Sequence, residues 1–354
     1  MSSHTTARIV GTGSYLPETS IDNFSLYAKD ELRDFDIDRA RASIRKVDGV
    51  DALSEEEVFD RWVQQVTGIR ARRVLDPESG FTTEDMCAQA SLQALDAAGM
   101  EATDLDLVYM ASLTCSDEVP NGACTVAQRI GAPDLGGYVL NAACAGFVYA
   151  MTSAWAAIVS GIAEHVLVVS GDALSRYVDY EDARTAVVFG DGAGAVVLSK
   201  TKGDRGVLGR PIMSGKFDRD PLYMVGQGWE EEDEPFPKLH MEGGPRILRH
   251  AIHTMARAAT DSIEAAGLGW DDVDIVIPHQ ANLRITMGLE KHLDLERGRV
   301  VHNIQEHGNM SATTVSLTLD QMMRGHHGEV PDPATVVLTA IGGGYTVAAM
   351  TLRV

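Results

Sequence analysis

The chain repeats itself. Ala97-Ala98-Gly99-Met100, followed by Asp104-Leu105-Asp106-Leu107-Val108-Tyr109, matches Ala265-Ala266-Gly267-Leu268, followed by Asp272-Val273-Asp274-Ile275-Val276-Ile277, without a gap and at an offset of 168 residues. Each copy reads as a helix closed by a C′ glycine, a short loop and a buried strand. A second pair lies in the same order. Phe189-Gly190-Asp191-Gly192-Ala193-Gly194 leads into Ala195-Val196-Val197-Leu198, and Ile341-Gly342-Gly343-Gly344 leads into Thr346-Val347-Ala348-Ala349-Met350. Both read as tight glycine turns that feed strands. The period is too long for a solenoid. Two ordered matches instead predict two similar α/β halves packed face to face, residues 1–200 and 201–354, joined near 200–240. At 354 residues the chain exceeds what one hydrophobic core usually serves. The glycines at 190, 192 and 194 do not read as a dinucleotide fingerprint, because that motif opens a helix and this one opens a strand.

The duplication says where to look for chemistry. The apolar strand Tyr138-Val139-Leu140 breaks at Asn141-Ala142-Ala143-Cys144-Ala145-Gly146, and a helix-like run from Phe147 to Ile162 follows. A thiol there meets the positive end of a helix dipole and unpaired first-turn N–H groups, which favour thiolate. A free cysteine is equally common as a small buried hydrophobe. In the second half the strand ending at Ile277 runs on into Pro278-His279-Gln280-Ala281-Asn282, so His279 takes the C-terminal strand edge where α/β sheets place functional groups. The rough counterpart of Cys144 falls in His307-Gly308-Asn309-Met310-Ser311-Ala312, another Gly-Asn turn before a helix-like run. Taken singly, His279 reads as well as a structural histidine and Gly308-Asn309 as a plain turn. A pseudo-twofold would bring Cys144, His279 and Asn309 to one seam.

These three segments resemble the active-site motifs of β-ketoacyl-[acyl-carrier-protein] synthase III, a condensing enzyme of the thiolase-like superfamily. The likeness runs from Gly11-Thr12-Gly13-Ser14-Tyr15-Leu16-Pro17 through Thr67-Gly68-Ile69 to Gly342-Gly343-Gly344, almost the whole chain. It implies a five-layer αβαβα fold and a homodimer. It also implies that Cys144 takes an acyl group from a thioester, with the N–H groups of Cys144 and Gly343 as the oxyanion hole, where a donor is typically worth about 3 to 4 kcal/mol. His279 and Asn309 would then hold the carbonyl of a malonyl thioester as it loses CO2. The implied substrates are acyl-CoA or acyl carrier protein and a malonyl thioester, with no metal or redox cofactor. The implied substrate contacts are Trp62, Val119, Phe189, Gly243 and Asn282. Arg284, Lys291 and Arg249, with Arg246, are candidates for docking an acidic carrier, each reading equally as a solvated charge.

Departures from the family pattern bear on the substrate. The two arginines that grip adenine in relatives using CoA are replaced by Val66 and Ala183, with Arg184 adjacent, so a carrier-borne donor becomes more plausible. Val119, where phenylalanine is usual, implies room for an acyl group longer than acetyl, and Gly244 replaces an asparagine at the pocket entrance. The stretch from about Phe24 to Phe59 is longer than usual and helix-compatible from Leu26 to Val47, with a Ser54-to-Glu57 capping box after it. An acidic loop, Trp229 to Glu234, reads as a solvated flap. An alternative activity, acyl transfer between carriers or onto an amine or hydroxyl without decarboxylation, needs only Cys144 and a base at His279. A non-catalytic subunit fits poorly with an intact triad. The net charge of −21 argues against nucleic acid and against an anionic membrane surface as main partners. Four cysteines without C-x-x-C spacing give no zinc or disulfide framework. With no signal core and no long apolar run, a cytoplasmic protein is expected.

Overall fold

The repeated helix–glycine–strand unit folds the same way twice. The protein was analysed as a computed structural model that describes residues 5–29, 32, 35–44, 49–226, 238–242 and 245–354. In chain order its first part comprises β1 (Thr5–Tyr15), β2 (Ser20–Asp22), α1 (Asn23–Tyr27), α2 (Ile37–Ser43), α3 (Glu55–Thr67), β3 (Ala71–Arg73), α4 (Thr83–Ala98), β4 (Leu107–Ala111), α5 (Gly122–Arg129), β5 (Gly136–Leu140), α6 (Gly146–Val159), β6 (His165–Ala173), α7 (Ala183–Ala186) and β7 (Asp191–Lys202). The second comprises β8 (Gly206–Gly215), β9 (Leu222–Met224), β10 (Leu239–Met241), α8 (Pro245–Ala265), β11 (Ile275–Pro278), α9 (Leu283–His292), α10 (Ile304–His307), α11 (Thr313–Met323), β12 (Thr335–Ile341) and β13 (Thr346–Arg353).

Both α4 and α8 end in the same Schellman-type cap. Gly99 and Gly267 sit at φ 64° and 73°, and the next residues, Met100 and Leu268, donate back to Leu95 and Ile263. The strands that follow, β4 and β11, each lie parallel to a neighbour, β6 and β12. The sheet orders repeat as well. The first sheet runs β5-β4-β6-β7-β1 and the second β11-β12-β13-β8, with the last two pairs antiparallel in each. Where the first sheet adds β5 beside β4, the second has a single parallel bridge from Val276 to Val300.

Helices α6 and α11 touch both sheets and each other, so they form the middle layer. One apolar core unites them with both sheets, through Phe147, Met151, Val168, Val315, Leu319, Leu338 and Met350. Helices α4 and α5 cover the outer face of the first sheet, and α8 and α9 that of the second. This is the five-layer αβαβα arrangement of thiolase-like enzymes.

One expectation needs correction, and another gains detail. Gly190, Gly192 and Gly194 do open strand β7, but not as turns, since none has a positive φ. They are small because the segment running into α11 presses on them: a Cβ on Gly194 would stand 2.3 Å from Ser316 Oγ, one on Gly192 2.9 Å from Met310 Sδ, and one on Gly190 2.4 Å from His307 O. Within the mostly helix-compatible stretch from Leu26 to Val47, the described residues form two short helices. Helix α1 ends at Tyr27 and α2 starts afresh at Ile37, where Asp36 accepts from the Arg39 N–H. Asp36 thus acts as an N-cap rather than as a helix-interior residue. The Ser54–Glu57 capping box is present in both directions. Trp229 to Glu234, Gly243 and Gly244 lie outside the described residues. No helix among the described residues is long and apolar enough to cross a membrane.

Gly194→Ala should lower unfolding free energy by about 2 to 3 kcal/mol, because the new methyl overpacks the β7–α11 contact. Urea denaturation reads this as a lower midpoint at unchanged slope, and an unaltered midpoint would mean α11 can recede without cost.

Candidate active site

Residue Cys144 lies in a single 3-10 turn, Ala143–Ala145, between β5 and α6. The turn is built by Asn141, whose Oδ1 accepts from the Ala143 N–H at 3.1 Å, and Ala143 is driven to φ 48°. The second half copies this at the same 168-residue offset. Asn309 Oδ1 accepts from the Ser311 N–H at 2.9 Å, and Ser311 sits at φ 52°. Asn309 is therefore the counterpart of Asn141, and Ala312 that of Cys144. Non-glycine residues at positive φ are strained and gather at functional sites.

With its carbonyl oxygen so engaged, the Asn309 carboxamide has its NH2 left for the cavity. The backbone of Asn309 is gripped on both sides, since its N–H donates to Val188 O at 2.9 Å and its O accepts from the Gly190 N–H at 3.0 Å. His279 caps β11 and donates its N–H to Thr339 O at 2.8 Å. Its ring Nδ1 is 2.6 Å from Thr314 Oγ1, which leaves Nε2 as the unengaged ring nitrogen. Burial alone pushes this imidazole down to about 3, so it is neutral at any working pH.

Cys144, His279 and Asn309 line one cavity of about 190 Å³. Phe189, Asn282 and the run from Gly342 to Tyr345 line it too, with apolar walls from Leu222, Ile247, Leu248, Ile285 and Ile341. The glycine run is held against Cys144 because a Cβ on Gly342 would strike the Cys144 amide nitrogen at 2.8 Å. Thr346 Oγ1 donates to Ala142 O at 2.7 Å, tying the two halves together beside the thiol.

The free thiol departs from expectation. Burial raises Cys144 to about 11, against the pull of the Ser311 hydroxyl and of the Cys144 and Gly343 backbone N–H groups. Burial thus outweighs the helix N-terminus, because Cys144 is 5% exposed and its thiol loses hydration. Those two N–H groups, expected as the oxyanion donors, are near enough to the sulfur to oppose that rise.

Sequence reasoning missed Asp172, which is fully buried and accepts from the Leu113 N–H at 2.7 Å and from the Ser112 and Thr114 hydroxyls at 3.2 Å. Desolvation raises its carboxyl to about 7. It was visible as the one charge on the apolar strand Val166–Ala173. Thr314 was missed as well.

Of the other expected residues that are described, Asn282 reaches the cavity and the rest do not. Asn282 caps α9, accepting from the Arg284 N–H at 2.8 Å and donating to Val66 O at 2.9 Å. Trp62 packs on Phe35 at 4.8 Å between centroids and is not among the cavity-lining residues. Val119 is 89% exposed in the single chain and does not reach the cavity. Arg284, Lys291 and Arg249 are exposed, on α9 and on the first turns of α8 beside Ile247 and Leu248. Arg184 is engaged by Asp182 at 2.9 Å. The four cysteines are free thiols, and among the described residues no cluster of His, Cys, Asp or Glu is arranged to hold a metal ion.

Comparison with known proteins agrees with this geometry. The family models for 3-oxoacyl-[acyl-carrier-protein] synthase III match residues 138–214 and, for its C-terminal part, 263–354. The β-ketoacyl-[acyl-carrier-protein] synthase III of Xylella fastidiosa (strain Temecula1) is 36% identical over the full length of both chains. This chain belongs to the β-ketoacyl-[acyl-carrier-protein] synthase III family. The Desulfitobacterium hafniense (strain Y51) enzyme of the same name is 34% identical across 96% of this chain and 95% of its own. Among solved structures, the Aquifex aeolicus synthase III superposes with a TM-score of 0.82 at 31% identity, covering 98% of this chain and 100% of that one. The priming β-ketosynthase of the R1128 polyketide pathway gives 0.82 at 28% identity, covering 100% and 98%. The protein is a condensing enzyme of the synthase III type.

Alkylation of Cys144 by iodoacetamide should climb steadily from pH 7 to pH 10 without a plateau, since the thiol is raised and the reactive thiolate grows only as pH approaches about 11. Mass spectrometry of the Cys144 peptide measures it, and a plateau reached by pH 8 would contradict the assignment.

Proposed function

We propose that this synthase III takes an acyl group larger than acetyl onto Cys144 and condenses it with a malonyl thioester, releasing CO2 and a β-ketoacyl thioester. The observation that carries the proposal is the pairing of a neutral His279 with the Asn309 NH2 in the cavity that holds Cys144.

In the first step the Cys144 sulfur attacks the donor thioester carbonyl. The oxygen becomes an oxyanion beside the Cys144 and Gly343 N–H groups, and collapse expels the donor thiolate, which takes up the proton lost by Cys144. Because the resting thiol is protonated, that proton moves during attack rather than before it. In the second step the malonyl C–CO2 bond breaks and its electron pair forms the enolate. His279 and Asn309 stabilise the enolate oxygen as neutral groups, which attract it without competing as counter-ions for the departing carboxylate. The enolate carbon attacks the acyl-Cys144 carbonyl, and Cys144 leaves and regains a proton. The electrons come from the bond to CO2, so the balance calls for no redox partner and no metal.

Several features support the finer reading. The cavity walls are aliphatic, and Val119 in place of a larger residue leaves room if a second copy delivers it in a homodimer; its exposure in one chain fits that placement. Val66 and Ala183 offer no guanidinium for adenine, and the Trp62 ring is occupied by Phe35 and Phe59. A phosphopantetheine arm on a carrier protein therefore suits the site better than CoA. Arg246 and Arg249 stand where α8 meets the cavity, and Arg284 and Lys291 extend a basic edge on an otherwise acidic protein for an acidic carrier.

Acyl-carrier and malonyl-carrier labelled in the carboxyl carbon test the reading directly. Asn309→Ala should cut CO2 release about 100-fold or more while Cys144 acylation persists. Acyl transfer without CO2 and indifferent to Asn309→Ala would establish the non-decarboxylating transferase instead. Val119→Phe should shorten the longest accepted acyl chain in a mass-spectrometric panel, and an unchanged profile would remove residue 119 from the pocket.

A further inference from the structure

We infer that Thr314 is a positioning residue that fixes the proton of His279 on Nε2, making the imidazole a hydrogen-bond donor to the substrate rather than a base. This rests on the condensing reading above, for which an Nε2–H is required; a base for Cys144 would need Nε2 bare.

The hydroxyl of Thr314 has one proton to give and two lone pairs. Three groups surround it. The Gln280 N–H, at 3.2 Å, can only donate, so it takes one lone pair. The Ser311 carbonyl, at 3.0 Å, can only accept. His279 Nδ1, at 2.6 Å, can do either. If the hydroxyl proton goes to Ser311, Nδ1 must carry the ring proton and Nε2 is bare. If it goes to Nδ1, the ring proton sits on Nε2.

Three observations select the second arrangement. The contact of 2.6 Å is shorter than ordinary N–H···O bonds and falls in the range of hydroxyl donors. The Ser311 carbonyl already accepts from the Thr314 backbone N–H at 3.2 Å, so it needs nothing from the side chain. Donation into Oγ1 by the Gln280 N–H also sharpens the hydroxyl as a donor, and an imidazole nitrogen is the stronger of its two acceptors. Both His279 and Thr314 are 1% exposed, which keeps water from offering a rival partner. Burial keeps the ring neutral, so one tautomer or the other must prevail.

The duplication points the same way. At the 168-residue offset, His279 corresponds to Ala111 and Thr314 to Gly146. Those two also meet, since a Cβ on Gly146 would stand 3.1 Å from the Ala111 Cβ, yet neither brings a polar side chain. The hydroxyl appears only in the half that carries the ring.

The test uses full-length protein with ¹⁵N-labelled histidine. Long-range ¹H–¹⁵N spectra, with His279 assigned by difference against His279→Ala, should show more than about nine-tenths Nε2–H tautomer at pH 7. Thr314→Val should lose that preference and lower CO2 release about 10- to 100-fold, with Cys144 acylation changed less than about threefold. Thr314→Ser should restore both. A wild-type ring bare at Nε2 would overturn the inference without recourse to any variant, and so would a Thr314→Val protein that decarboxylates at the wild-type rate. If wild-type protein releases no CO2, the condensing reading fails on its own, while the spectra still decide whether Thr314 sets the tautomer.

Discussion

Everything at the site depends on how closely the middle helices press against the two sheets. Gly194 lets α11 approach β7 to distances no side chain would tolerate, Gly192 does so for Met310 just before that helix, and Gly342 does the same for the Cys144 turn. That proximity brings the starts of α6 and α11 together with the end of β11 at one cavity whose Cys144, His279 and Asn309 are buried. Close packing transmits position faithfully, because a dense interior has little room to yield. The Thr346–Ala142 hydrogen bond then ties the glycine run of one half to the nucleophile turn of the other.

The same burial sets the electrostatics. Loss of hydration raises the Cys144 thiol and the Asp172 carboxyl and lowers the His279 imidazole, so the thiol and the ring rest uncharged while Asp172, at about 7, is part ionised near neutral pH. Fixed donors in such a setting need no reorganisation when the charge develops.

The architecture was largely legible because duplication writes the same signals twice. Ala97 to Tyr109 and Ala265 to Ile277 announced a helix, a cap and a strand, and each pair of elements lies at equivalent places in its sheet. What periodicity could not convey was distance. Gly190, Gly192 and Gly194 look like a turn in sequence, and only the approach of His307, Met310 and Ser316 reveals why they are small. The thiolate expectation at Cys144 failed for a related reason: a helix start is readable in sequence, whereas the depth of burial that outweighs it is not. Cys144, His279, Phe189, Asn282 and Asn309 line one cavity as the sequence suggested, while Trp62 packs into an aromatic cluster instead. Thr314 and Asp172 escaped notice because a threonine early in a helix and an aspartate at a strand end are ordinary until their neighbours are known.

The twin turns at Asn141–Cys144 and Asn309–Ala312 carry a historical implication. Both keep an asparagine folded onto its own backbone and a strained residue two places on, although only one bears a nucleophile. The bent perch is thus older than the division of tasks between its copies. An ancestor with two identical copies would have offered the same side chains from both sides of the seam, and asymmetry arose once the place of Cys144 in one copy and of Ala312 in the other came to differ.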